Sequence, residues 1–72
     1  MFERETQEIF LKRQFCQYLQ IALIPNINSI KVNVEYAPAI IHYQGADYAF
    51  IDTVLCCVIK KDDGKYYPQI PT

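Results

Sequence analysis

The chain has 72 residues, 51% of them apolar, with six tyrosines, four phenylalanines and a formal net charge of −1. That length supports one domain and hides only about 60% of the surface its unfolded form exposes, so part of this apolar side chain is expected to be covered by another chain. The near-zero charge excludes the surplus of Lys and Arg that neutralises phosphate, which argues against a nucleic-acid binder.

Residues 2–23, from Phe2 to Leu23, predict a helix. They hold no Gly or Pro and are rich in Glu, Gln, Leu, Lys and Arg, all good helix formers. Glu3, Glu5 and Glu8 suit the positive end of its dipole. Pro25 sets the stop, because it biases Ile24 out of the helical region. At about 100° per residue, Leu11, Phe15, Tyr18, Leu19, Ala22 and Leu23 share one side, with Ile9 and Cys16 at its margin. Phe10 and Ile21 fall on the far side among Arg13, Gln14 and Gln17, a second apolar stripe with no core to face.

Beyond the loop at residues 25–28 the period becomes two. Ile30, Val32, Val34 and Tyr36 alternate with Lys31, Asn33 and Glu35, the pattern of a half-buried strand. Val34 is accordingly expected in the core, where a carboxylate would unfold the domain. Ala37 and Pro38 turn the chain, and residues 39–44 read as a second strand. Gly45 and Ala46 fit a two-residue hairpin turn. That register sets Tyr43 opposite Tyr48 and Ile41 opposite Phe50, an aromatic cluster on one face.

Residues 48–61 carry two signals. Phe50, Ile51, Val54, Leu55, Val58 and Ile59 recur at helical spacing, whereas residues 53–59 are full of strand formers. Strand is favoured, with Asp52 marking a bulge or bend. Lys61-Asp62-Asp63-Gly64-Lys65 suits a three-residue hairpin loop with Gly64 left-handed. Residues 66–70 then form a last strand, which Pro68 confines to a sheet edge. The expected fold is α+β: an N-terminal amphipathic helix packed on an antiparallel meander of about four strands. The alternative is α-β-β-α, with residues 48–61 helical.

The chemistry-bearing residues are sparse. Cys16, Cys56 and Cys57 match no disulfide framework, and adjacent cysteines on a strand point to opposite faces. The opening residues Met1 to Glu5 are mixed and charged, unlike a secretory leader, and the apolar run at 53–59 is too short to cross a bilayer. A reducing, cytoplasmic setting is expected. Ser29 stands outside any nucleophile motif, and His42 with Cys56 or Cys57 reads as ordinary sheet packing rather than a catalytic pair. Those three side chains offer too few ligands for a metal, and Asp62-Asp63-Gly64 reads as a turn. Glu35, Asp47 and Asp52 show no acid–base pattern. Gly45 and Gly64 are too far apart to cradle a phosphate.

No catalytic residue, cofactor or metal is therefore assigned. The expected function is a non-catalytic protein-interaction module that acts as an inhibitor, regulator or minor subunit by occupying a partner's surface. Phe10, Ile21, Tyr66 and Tyr67 are the expected partner-contact residues, because Tyr offers large contact area with a polar tip. A homodimer is expected too, by sheet-edge pairing or helix packing. Short chains without motifs are common in phages and plasmids, an origin compatible with this one. The alternative is a small barrel that stacks single-stranded nucleic acid on Tyr36, Tyr43, Tyr48, Tyr66 and Tyr67, with Lys60, Lys61 and Lys65 at its edge.

Overall fold

The computed structural model describes residues 3–69. It carries helices α1 (Glu3–Leu19) and α2 (Leu23–Asn26), then strands β1 (Lys31–Asn33), β2 (Ile40–Tyr43), β3 (Ala46–Ile51), β4 (Val54–Lys60) and β5 (Tyr66–Pro68). Phe2 and Ile70, placed by the sequence in the helix and the last strand, lie outside the described residues.

Helix α1 stops earlier than Pro25 would make it, through its own C-terminal motif. Gln20 turns left-handed at φ 59°. Its N–H donates to Gln17 O at 3.3 Å, and the Ile21 N–H donates to Cys16 O at 3.0 Å. These are the paired bonds of a Schellman end, which satisfies two orphan carbonyls. Ile24 and Pro25 are helical rather than excluded from helix, inside the single turn of α2. Proline is tolerated there because a first-turn N–H has no intrahelical acceptor to lose. Lys12 Nζ donates to Ile27 O at 2.8 Å, which anchors α1 on the end of α2.

The five strands form one open antiparallel sheet in the order β1-β2-β3-β4-β5, so the fold is α+β with an N-terminal helix on a meander. Strand β1 is much shorter than the alternation at 30–36 predicts. The Asn33 side chain accepts the Glu35 N–H at 3.0 Å, an Asx turn that takes the backbone out of the ladder. Val34 consequently sits half-buried in a turn and not in the core. A strap of residues 34–39, with a cis bond between Ala37 and Pro38, then leads to β2.

The β2–β3 turn is Gln44-Gly45, one residue earlier than Gly45-Ala46, with φ of 50° and 76°. Ile41 therefore faces Tyr48, and Tyr43 faces Ala46. A shift of two residues leaves every side chain on its expected face, so the aromatic cluster survives. Residues 48–61 are strand, not helix, and are cut in two by a hairpin turn. Asp52 and Thr53 hold φ of 50° and 66°, the signs a two-residue type I′ turn needs. The bend expected at Asp52 is thus a full reversal, which raises the strand count to five. The last loop forms as expected, with Gly64 at φ 80°, and β5 is an edge strand.

Phe15, Cys16, Ile30 and Ile41 are buried between α1 and one sheet face, flanked by Ile21, Leu23, Val32, Tyr43, Tyr48, Phe50 and Leu55. Phe15 meets Tyr43 and Tyr48 edge-on, with centroids 5.4 Å and 5.2 Å away. The helix thus seats on Phe15 and Cys16, and Tyr18 and Leu19 are exposed at its end instead of buried. On the opposite face Ile40, Ala49 and Val58 are buried beneath Tyr36, Ile51 and Tyr66. Here the strap replaces a second helix.

Candidate binding surfaces

Among the described residues, seven side chains are buried, and seven large apolar ones are exposed: Ile9, Phe10, Tyr18, Leu19, Ile24, Val54 and Ile59. A single helix can press only one stripe onto a sheet. The stripe of α1 that turns away carries Thr6, Ile9, Phe10 and Arg13, which line a shallow groove. Phe10 at its centre is 58% exposed and Ile9 40%.

The second surface lies on the sheet face away from α1. A recess of about 250 Å³ opens between the strap and the sheet, lined among others by Tyr36, Pro38, Ala49, Ile51, Tyr66 and Lys65. Its floor is the buried trio Ile40, Ala49 and Val58. Ala49 is the small member of that trio and gives the recess its depth. The rings of Tyr36 and Tyr66 meet at right angles, 4.9 Å between centroids, where the strap reaches β5.

Of the four expected contact residues, Phe10 alone is an exposed apolar side chain. Ile21 does not share its stripe, because α1 ends before it and Ile21 packs half-buried on the core. Tyr66 is half-buried at the recess wall. Tyr67 is engaged in its own hairpin: its hydroxyl donates to Asp63 Oδ2, and Lys61 Nζ stands 4.7 Å above its ring. Ile24, Val54 and Ile59 were legible only as core candidates or turn residues, and periodicity alone gives no sign of their exposure.

The β5 edge is blunted. Gln69 N–H donates inward to Cys57 O at 2.8 Å, and Lys61 N–H to Lys65 O at 2.9 Å on the same side of the ladder. Antiparallel alternation then turns Pro68 outward, where it has no N–H to offer an incoming strand. With β1 only three residues long, both edges are poor templates for strand addition.

The polar side chains mostly serve the scaffold. His42 Nδ1 approaches Asp47 Oδ1 at 2.7 Å, while Cys56 Sγ donates to Val54 O. The three thiols are free. Cys16 is buried, which raises its pKa. Burial first, and then the charge and hydrogen bonding of Asp47, push the Tyr66 hydroxyl up. The Tyr67 hydrogen bond is the largest cause holding Asp63 below the usual carboxylate range, and the same bond raises Tyr67. Among the described residues no group of three His, Cys, Asp or Glu side chains is placed to hold a metal ion. No helix there is long and apolar enough to cross a membrane. Comparison with protein-family models, curated proteins and solved structures finds no match to this chain.

Proposed function

We infer that the chain is a non-catalytic protein-interaction module, an inhibitor, regulator or minor subunit that works by covering a partner protein's surface. The observation that carries this reading is Phe10, 58% exposed in the middle of the α1 face that turns away from the sheet. Burying such a side chain is worth roughly 1.5–3 kcal/mol, a gain the chain's own fold leaves unused. Ile9 beside it and Arg13 one turn on complete an apolar centre with a charged margin, the anatomy of a binding patch. Self-association through the same helix face accompanies this reading, since both sheet edges are blunted.

The nucleic-acid alternative is less well supported. Tyr43 and Tyr48 lie edge-on against Phe15 beneath the helix, and the sheet is open rather than a barrel. A stacking platform would be left without its two central rings.

The test compares the wild-type chain with Phe10→Glu. Sedimentation velocity and capture from the source cell are run at low and high salt. The reading expects a captured protein that resists salt and is lost in Phe10→Glu, with the helical circular dichroism unchanged. Capture that is indifferent to Phe10→Glu would remove its basis. Retention of nucleic acid alone, released by salt, would transfer the function to the alternative.

A further inference from the structure

We propose that the recess beneath the strap is a binding site for a small carboxylic acid with a compact aromatic or branched apolar body. This site lies on the opposite side of the sheet from Phe10 and does not depend on the protein-interaction reading. Three features of the recess define the ligand. The floor of Ile40, Ala49 and Val58 is apolar and buried, so the part of the ligand that enters must be apolar as well. The volume of about 250 Å³ is below the roughly 300–1,000 Å³ of sites for drug-sized molecules, which limits the body to about one ring.

The third feature is charge. Among the described residues Lys65 is the sole charged one on the lining, and its ammonium forms no ion pair with any of them. An apolar body seated on Ala49 with a carboxylate at the mouth satisfies both the floor and that cation. A cationic ligand of the same shape would place like charges together, and a neutral one would leave the ammonium to solvent. The prolines at 38 and 68 and the perpendicular Tyr36–Tyr66 pair form walls with few rotatable bonds. A preformed recess of this kind spends little of the binding free energy on ordering.

The test uses the full chain with phenylacetate, its neutral counterpart phenylacetamide and the cation phenethylamine as probes. Each is titrated while the methyl resonances of Ile40, Ala49, Ile51 and Val58 are followed by NMR. Phenylacetate should give saturable shifts at these methyls and bind roughly fivefold more tightly than phenethylamine, the ratio expected of one solvent-exposed ion pair. Lys65→Met should abolish that preference while still admitting phenylacetamide. Ala49→Leu, which fills the floor, should abolish binding of all three probes and leave the Phe15-side methyls of Ile41 and Leu55 unshifted. Three results would overturn the proposal: no saturable shift in the wild-type chain at millimolar probe, equal binding of acid and amine, or undiminished phenylacetate binding in a folded Ala49→Leu protein. Should Ala49→Leu fail to fold, the Lys65→Met comparison decides alone.

Discussion

His42 Nδ1 lies 2.7 Å from Asp47 Oδ1, across a hairpin that sets the two residues directly opposite each other on β2 and β3. The charge of the same carboxylate also raises the Tyr66 pKa from two strands away, second to burial. Tyr66 is in turn the ring that meets Tyr36 and closes the recess beneath the strap. The wall of the recess thus carries the influence of the Asp47 charge as well as apolar packing.

Asp47→Asn should reveal that dependence. It retains an acceptor but removes the charge, and we expect a loss of about 1 kcal/mol, or roughly 4–8 °C in Tm for a domain of this size. The phenol titration is more diagnostic. Tyr66 has a raised pKa, so its contribution to stability is present below the ordinary tyrosine range and is lost as pH rises through the folded value. In Asp47→Asn one tyrosine should ionise at lower pH than before, because the charge effect disappears while burial remains. An unchanged set of phenolate absorbance curves would show that Asp47 does not act on Tyr66.

The Asp63–Tyr67 bond gives the last hairpin a two-sided pH dependence. Asp63 is held below the usual carboxylate range, so its contribution is present above that range and is lost as pH falls through the lower folded value. Tyr67 is raised above 10.0, so its contribution holds below that value and is lost as pH rises through the higher folded one. Tyr67→Phe should be less stable than wild type across neutral pH. The two thermal-stability curves should converge in strong acid and again in strong alkali. A difference that stays constant over the whole range would mean the hydroxyl does not engage the carboxylate.

Much of this architecture could be read from residue order alone, because its determinants are local. Alternation marked Ile30 and Val32, a left-handed glycine marked the loop at Gly64, and Pro68 marked an edge. What escaped was set by competition between neighbours. Asn33 captures the Glu35 N–H and ends a strand whose apolar alternation continues to Tyr36. Gln20 closes α1 without a glycine or proline at the stop, so Ile21 lies off the helix. Asp52 and Thr53 make a turn usually signalled by Asn-Gly or Asp-Gly, which hid one hairpin. The binding surfaces were less legible still. Phe10 could be found from its place opposite the core stripe, whereas the recess depends on the strap crossing the sheet, a long-range placement with no periodicity.

Ile41 and Val34 separate the two accounts of β1. Both are aliphatic residues that the sequence assigns to strands, but Ile41 is fully buried in the cluster with Phe15 whereas Val34 lies in the turn after the Asx bond. Ile41→Asp should leave the chain unfolded, since an unpaired buried carboxylate costs several kcal/mol against the small stability of a short domain. Val34→Asp should remain folded, at a cost of about 1 kcal/mol or less. The check is circular dichroism with a urea titration of each variant. If Val34→Asp unfolds the chain and Ile41→Asp does not, the strand at 30–36 extends further than the Asx turn allows.

Thr53 holds the most strained backbone position. Its φ of 66° brings a β-branched side chain into the left-handed region, where such residues are genuine outliers and the strain costs about 1–3 kcal/mol. Among the described residues, what stands against this is an exposed hydrogen bond from its own hydroxyl to Asp52 O at 2.5 Å. Thr53→Gly removes the clash and creates Asp-Gly, a preferred pair for this turn, against an entropy cost of about 0.5–1 kcal/mol for the freer unfolded chain. The net should be a stabilisation of about 1 kcal/mol, seen as a rise of roughly 4–8 °C in Tm. Thr53→Ala, which relieves the β-branching but keeps a Cβ at positive φ, should recover only part of that rise. Should Thr53→Gly instead melt earlier than wild type, residues 52 and 53 do not form a type I′ turn, and the division of residues 46–60 into two strands fails with it.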